Sequence, residues 1–191
     1  PALLKDSGLI VITAGSPRKP GMTRSDVLDI NLAVINSLVD EILKYAPDSL
    51  LLLVTNPVDV LTWHAWKRSG WERGRVFGQA GVLDASRMAT FMAEETGLSA
   101  KDIHPLVIGG HGDAMVPLTR FSTINGAPAS AFLDDVAIAR INERTRHGGA
   151  EVLALRQVSS AYNAPAAAIA TMVDAICHDR RRILPCVCNL D

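Results

Sequence analysis

The stretch Gly109-Gly110-His111-Gly112-Asp113 sets one imidazole among three glycines. Glycine lets the backbone come close to a ligand and leaves the ring uncrowded. Histidine titrates nearer neutrality than any other side chain, so it suits proton transfer. An isolated histidine is more often structural than catalytic. A carboxylate on one ring nitrogen would change that reading, because it fixes the tautomer and holds the proton gained in reaction. Asp113 is the nearer candidate in sequence, and Asp84 is the other. Asp84 and Arg87 lie three apart at the start of a predicted helix and share a face. On a solvated surface such a pair would contribute little.

The loop Ser16-Pro17-Arg18-Lys19-Pro20-Gly21-Met22-Thr23-Arg24 follows an apolar run. Its two arginines could each grip a carboxylate in fork geometry, although charge alone would also suit a solvated basic loop. Its prolines and glycine suit a segment that moves as a unit over a ligand. Thr55-Asn56-Pro57 closes a second apolar run, and an asparagine amide there could bridge two ligands or simply make a turn.

These residues need elements to hold them. Leu9 to Ala14 and Leu50 to Thr55 read as strands buried on both faces, and Arg75 to Gly78 as a short third strand. Between them, Leu28, Leu32, Ile35, Val39, Ile42 and Leu43 recur at helical spacing, and a second helix runs from about Val58 to Arg68. Buried strands alternating with helices predict a parallel α/β sheet. Beyond residue 80 a helix from about Val82 to Thr96 is predicted, then a hairpin near Asn125-Gly126 and helices over Asp134 to Arg156 and Pro165 to Cys177. The chain closes on a strand-like Ile183 to Cys188. A domain boundary is expected near residue 80.

A formal charge of -1 points to neither a nucleic-acid nor an acidic-membrane partner. No apolar run is long enough to span a membrane. Cys177, Cys186 and Cys188 are too few and too clustered for a disulfide framework, so a reducing compartment is expected. They are read as packing residues, not metal ligands.

Taken together, Ile12 to Arg24, Val54-Thr55-Asn56-Pro57-Val58-Asp59, Gly81-Val82-Leu83-Asp84-Ala85-Ser86-Arg87 and Gly109 to Asp113 closely resemble the malate branch of the lactate/malate dehydrogenase family. The likeness runs on through Glu143-Arg144-Thr145-Arg146-His147-Gly148-Gly149 to Cys186. It implies a partial Rossmann-type parallel sheet, residues 1–80, followed by an α+β substrate domain, residues 81–191. It implies NAD as cofactor, malate and oxaloacetate as substrates, a tricarboxylic acid cycle role in the cytoplasm, and a homo-oligomer, dimer or tetramer. By the resemblance His111 takes the hydroxyl proton and Asp84 stabilises the imidazolium. Arg87 binds the carboxylate beside the reacting carbon, Arg24 polarises the carbonyl, and Arg18 selects the second carboxylate. Asn56 contacts substrate and cofactor across a cis bond to Pro57. Gly15, Asn31, Val54 and Thr55 fall at cofactor-lining positions, although Gly15 and Val54 also read as plain strand residues. The family's Gly-x-Gly-x-x-Gly turn has no counterpart in these residues. That motivates a competing reading as a truncated, non-catalytic dehydrogenase fragment, and a lactate dehydrogenase is a third.

Overall fold

A computed structural model describes residues 2–17, 24–112, 114–156 and 161–190, with the side chains of Arg24 and Ser25 excepted. The chain divides into two compact units, residues 1–79 with 186–191, and residues 80–185. The division falls between Gln79 and Ala80, and the last six residues, assigned from sequence to the second domain, return to the first unit.

The first unit runs β1 (Leu9–Ile12), α1 (Arg24–Tyr45), β2 (Leu50–Leu53), α2 (Val58–Ser69) and β3 (Val76–Gly78). The strands pair in parallel in the order β1-β2-β3, with Ile12 opposite Leu53 and Leu53 opposite Gly78. Parallel neighbours require a crossover, and α1 and α2 supply them. Central β2 is covered on both faces, which is why it reads as an unbroken apolar run. Leu51, Leu52 and Leu53 expose none of their surface, and burying each stabilises the unit by about 2 kcal/mol. At the edge, β1 buries Ile10 and Ile12 while Leu9 and Val11 stay partly covered, so its two faces differ. The inner face of α1 is Val27, Asn31, Ile35, Val39 and Ile42, nearly all four apart. One of those core positions is polar.

The second unit begins with α3 (Gly81–Thr96), followed by β4 (Ile103–His104), β5 (Val107–Gly109), β6 (Met115–Pro117), β7 (Thr123–Ile124) and β8 (Ala127–Pro128). Helices α4 (Asp135–Arg156) and α5 (Asn163–Cys177) complete it. Strands β5 and β6 form one antiparallel pair, and β4, β7 and β8 form a small sheet turned at Asn125-Gly126. Met88, Met92, Ile103, Val107, Met115, Ile124, Leu133 and Ile141 meet in its core, so α3 and α4 close over both small sheets.

Two sequence expectations are corrected. Ile183 to Cys188 is not a strand; its one ladder contact is a bridge between Val187 and Gly78, and Ile183 is fully exposed. Pro185 interrupts donation there, since it has no N–H. The cysteines are not packing residues, because Cys177, Cys186 and Cys188 are all exposed. Even so, partial burial of its sulfur pushes the Cys186 thiol up to about 11, and the nearby Cys188 thiol adds to the shift. Among the described residues no three metal-ligating side chains converge, and no helix is long and apolar enough to cross a membrane.

Candidate active site

Helix α3 can start where it does because Gly81 has no side chain: a Cβ there would lie 2.6 Å from that of Pro185. Met88 and Met92 are fully buried on the inner face of the helix. One turn earlier on that face stands Asp84, its side chain 3 % exposed. A carboxylate taken out of water needs partners, and this one has them on both oxygens. Its Oδ1 accepts from Nη1 of Arg87 at 3.2 Å, and its Oδ2 lies 2.8 Å from Nδ1 of His111. The first turn of α3 also favours a negative charge, through the amide groups that point out of it.

His111 reaches Asp84 from the turn between β5 and β6. That turn is held by Gly110 N–H donating to the Ala114 carbonyl at 3.2 Å and Met115 N–H donating to that of Gly112 at 3.0 Å. Gly109, at φ +82°, is in the left-handed region, and a Cβ there would strike the Ala114 carbonyl. Arg146 of α4 donates through Nε to the Met115 carbonyl at 3.3 Å, which ties the turn to the helix behind it. The imidazole is mostly covered, with 18 % of its surface accessible. With Nδ1 protonated toward the carboxylate, the lone pair sits on Nε2, the tautomer a general base requires.

Arg87 is 15 % exposed. Among the described residues Asp84 is its hydrogen-bond partner, through Nη1 alone, so Nε and Nη2 present their N–H groups to no protein acceptor. A largely buried guanidinium with donors to spare is suited to an anion. The Asp84–Arg87 pair is therefore not a solvated surface pair, and the Asp84 carboxylate meets His111. Asp113, the other candidate, lies outside the described residues.

In the first unit, Asn31 joins the ends of β1 and β2. Its Oδ1 accepts from Ser16 N–H at 2.7 Å, while Nδ2 donates to the carbonyls of Ser16 at 3.2 Å and Asn56 at 2.7 Å. Thr55 is buried and donates its hydroxyl to the Ala14 carbonyl at 2.7 Å. A Cβ on Gly15 would collide with the Thr55 methyl and lie 2.9 Å from Asn31 Oδ1, so the close approach demands glycine. Val54 is partly buried and continues the ladder, donating to Ile12. The Asn56–Pro57 bond is cis, and Asn56 is exposed. Thr13, Ala14, Gly15 and Asn56 thus form an accessible ledge, closed beneath by Asn31 and Thr55, at the carboxyl ends of two parallel strands. Ligands of open parallel α/β sheets bind beyond such strand ends. Arg18 and the side chain of Arg24 lie outside the described residues.

A parallel α/β unit of Rossmann type, followed by an α/β unit that holds an imidazole against a buried carboxylate, defines the class. The lactate/malate dehydrogenase NAD binding domain matches residues 1–78, and the lactate/malate dehydrogenase alpha/beta C-terminal domain matches residues 81–189. The chain belongs to the lactate/malate dehydrogenase family. Among curated relatives, the malate dehydrogenase of Thioalkalivibrio sulfidiphilus is 67% identical over 190 residues, covering 100% of this chain and 62% of that protein. The apo malate dehydrogenase of Picrophilus torridus superposes with a TM-score of 0.95 at 43% identity, covering 100% of this chain and 59% of that one. The lactate dehydrogenase of Cryptosporidium parvum, solved with lactic acid and nicotinamide adenine dinucleotide, gives 0.92 at 38% identity over 97% of this chain and 60% of that one. The chain spans about six-tenths of the length of the relatives it matches.

Sequence reasoning did not reveal what Asn31 does. Its position four residues before Ile35 in the buried stripe was the available signal, since an asparagine there must find partners.

Proposed function

We propose that this chain carries the substrate chemistry of an NAD-dependent malate dehydrogenase, which interconverts malate and oxaloacetate. The observation that carries the reading is the Asp84 carboxylate, buried and shared between His111 and Arg87. NAD, when bound, supplies the acceptor for the C2 hydride of malate. Nε2 of His111 takes the C2 hydroxyl proton as the carbonyl forms, and Asp84 stabilises the resulting imidazolium. In the reverse direction the same nitrogen returns the proton to oxaloacetate. Arg87 holds the carboxylate next to the reacting carbon, using the Nε and Nη2 donors that Asp84 leaves over.

The family resemblance assigns Arg24 to the carbonyl and Arg18 to the second carboxylate, whose burial without a cation would cost several kcal/mol. It also assigns Asn56 to contacts with substrate and cofactor. Gly15, Val54 and Thr55 would line the nicotinamide end of the cofactor. Asn31, with its amide spent on Ser16 and Asn56, acts by shaping that ledge. Exposed free thiols suit a reducing cytoplasm, and the family supports a homo-oligomer, dimer or tetramer, in the tricarboxylic acid cycle.

The test is loss of NADH absorbance with oxaloacetate and, separately, with pyruvate. Turnover that prefers oxaloacetate is expected. Preference for pyruvate would make this a lactate dehydrogenase, and no turnover with either would refute the reading.

A further inference from the structure

Helix α4 carries Gly148-Gly149 near its middle, where glycine is a poor helix former. A pair of such residues inside a 22-residue helix calls for a reason not to carry side chains. Arg87 supplies it. A Cβ on Gly148 would lie 3.3 Å from Cδ and 3.8 Å from Nε of Arg87, and 3.7 Å from Cζ of Phe91. One on Gly149 would lie 3.6 Å from Nη1 and 3.9 Å from Nη2. The two glycines therefore form a bare strip of helix along which the arginine lies, stem over the first and guanidinium beside the second.

Helix α4 is tied to its neighbours around the strip. Arg144, one turn earlier on α4, stacks its guanidinium 4.1 Å over the Phe91 ring of α3. It also pairs with Glu94 of α3 at 2.6 Å and Glu151 of α4 at 3.0 Å. Arg146 anchors the same helix to the Met115 carbonyl. With α4 held to α3 and to the β5–β6 turn, a Cβ at residue 148 is relieved by moving Arg87. Asp84 sits at the other end of that arginine.

We infer that Gly148 and Gly149 are positioning residues for Arg87 and set the affinity of the site for a substrate carboxylate. Gly148 fixes the depth of the stem, and Gly149 leaves the space beside Nη2, one of the two donors assigned to the anion, clear of a methyl. The inference rests on the reading of Arg87 as the carboxylate-binding residue.

The experiment uses Gly148→Ala, Gly149→Ala and Arg87→Ala in the complete natural protein, with oxaloacetate KM, kcat and thermal midpoint measured for each. Both glycine variants are expected to raise KM about tenfold, with kcat falling much less, because the lost contact is made in ground and transition state alike. Alanine is the better helix former, so Gly149→Ala should also hold or raise the thermal midpoint, by up to about 4 °C. A weakened KM in a chain at least as stable separates positioning from a general structural role. Should Gly148→Ala fail to fold, Gly149→Ala carries the test, since its methyl meets the guanidinium at ordinary contact distance. Unchanged KM in a folded, active Gly149→Ala, with Arg87→Ala still impaired, overturns the inference alone. Unchanged KM in Arg87→Ala overturns the reading beneath it as well.

Discussion

Oδ2 of Asp84 lies 2.8 Å from Nδ1 of His111, across 27 residues of chain. One end of this contact stands on the first turn of α3 and the other on the turn between β5 and β6. The other oxygen of the same carboxylate is taken by Arg87. One buried carboxylate thus holds both the His111 ring and the Arg87 guanidinium.

Asp84→Asn keeps the shape but removes the charge that stabilises the imidazolium. It is expected to lower kcat by about 10²–10⁴-fold, and His111→Gln by a similar factor. Stopped-flow or steady-state NADH oxidation, with circular dichroism to verify folding, checks both. A near-normal kcat in His111→Gln would mean that another group transfers the proton.

Arg87→Lys preserves charge but loses the planar fork. A point charge on a flexible stem cannot replace two parallel N–H donors, so KM for oxaloacetate should rise roughly ten- to a hundredfold. Steady-state kinetics over a range of oxaloacetate concentrations measures it, and KM rising less than about twofold would remove Arg87 from carboxylate binding.

Arg18→Gln removes the cation assigned to the second carboxylate. The ratio of kcat/KM for oxaloacetate over pyruvate should fall by about 10²-fold or more, since the dicarboxylate then buries an unpaired charge. Competition between the two substrates reads this ratio directly. An unchanged ratio would place the selectivity elsewhere.

Asn31→Leu should destabilise the first unit by about 2–4 kcal/mol, because it strands Ser16 N–H and two carbonyls that are now bonded. Asn31→Asp retains the acceptor for Ser16 N–H but faces two carbonyl oxygens with a carboxylate, so it should not rescue the loss. Urea denaturation of the two variants distinguishes a structural amide from one reserved for ligand.

Cys186 should alkylate slowly for an exposed cysteine. With its thiol raised from 9.0 to about 11, only about one part in a thousand is thiolate at pH 8, against about one in ten for an ordinary thiol. The protonated form is the one favoured in the fold, so reactivity should climb about tenfold per pH unit until the pH nears 11. Iodoacetamide labelling followed by peptide mass spectrometry measures the rate at each pH. A rate at pH 8 equal to that of an unstructured cysteine peptide would contradict the shift.

Much of the fold was legible from local pattern. Continuous apolar runs marked β1 and β2, helical periodicity marked α1 to α5, and Asn125-Gly126 marked the hairpin, because each signal depends on residues a few positions apart. The end of the chain misled for the same reason. Ile183 to Cys188 is a short apolar run, but a strand also needs a partner edge, and only Val187 finds one, at Gly78.

The sequence by itself determined the residue types, their order and the family they resemble, since motifs survive being read in one dimension. It left open whether Asp84, 27 residues away, reaches His111. Packing decides that it does: Met88 and Met92 bury the face of α3 that carries Asp84, and that carboxylate is delivered to the ring. The work of Asn31 and of Gly148-Gly149 was likewise decided in three dimensions. Their neighbours are 15 to 62 residues away in sequence, and it is the close approach of strand ends and helices that seats an amide at one and brings the Arg87 side chain against the helix at the other.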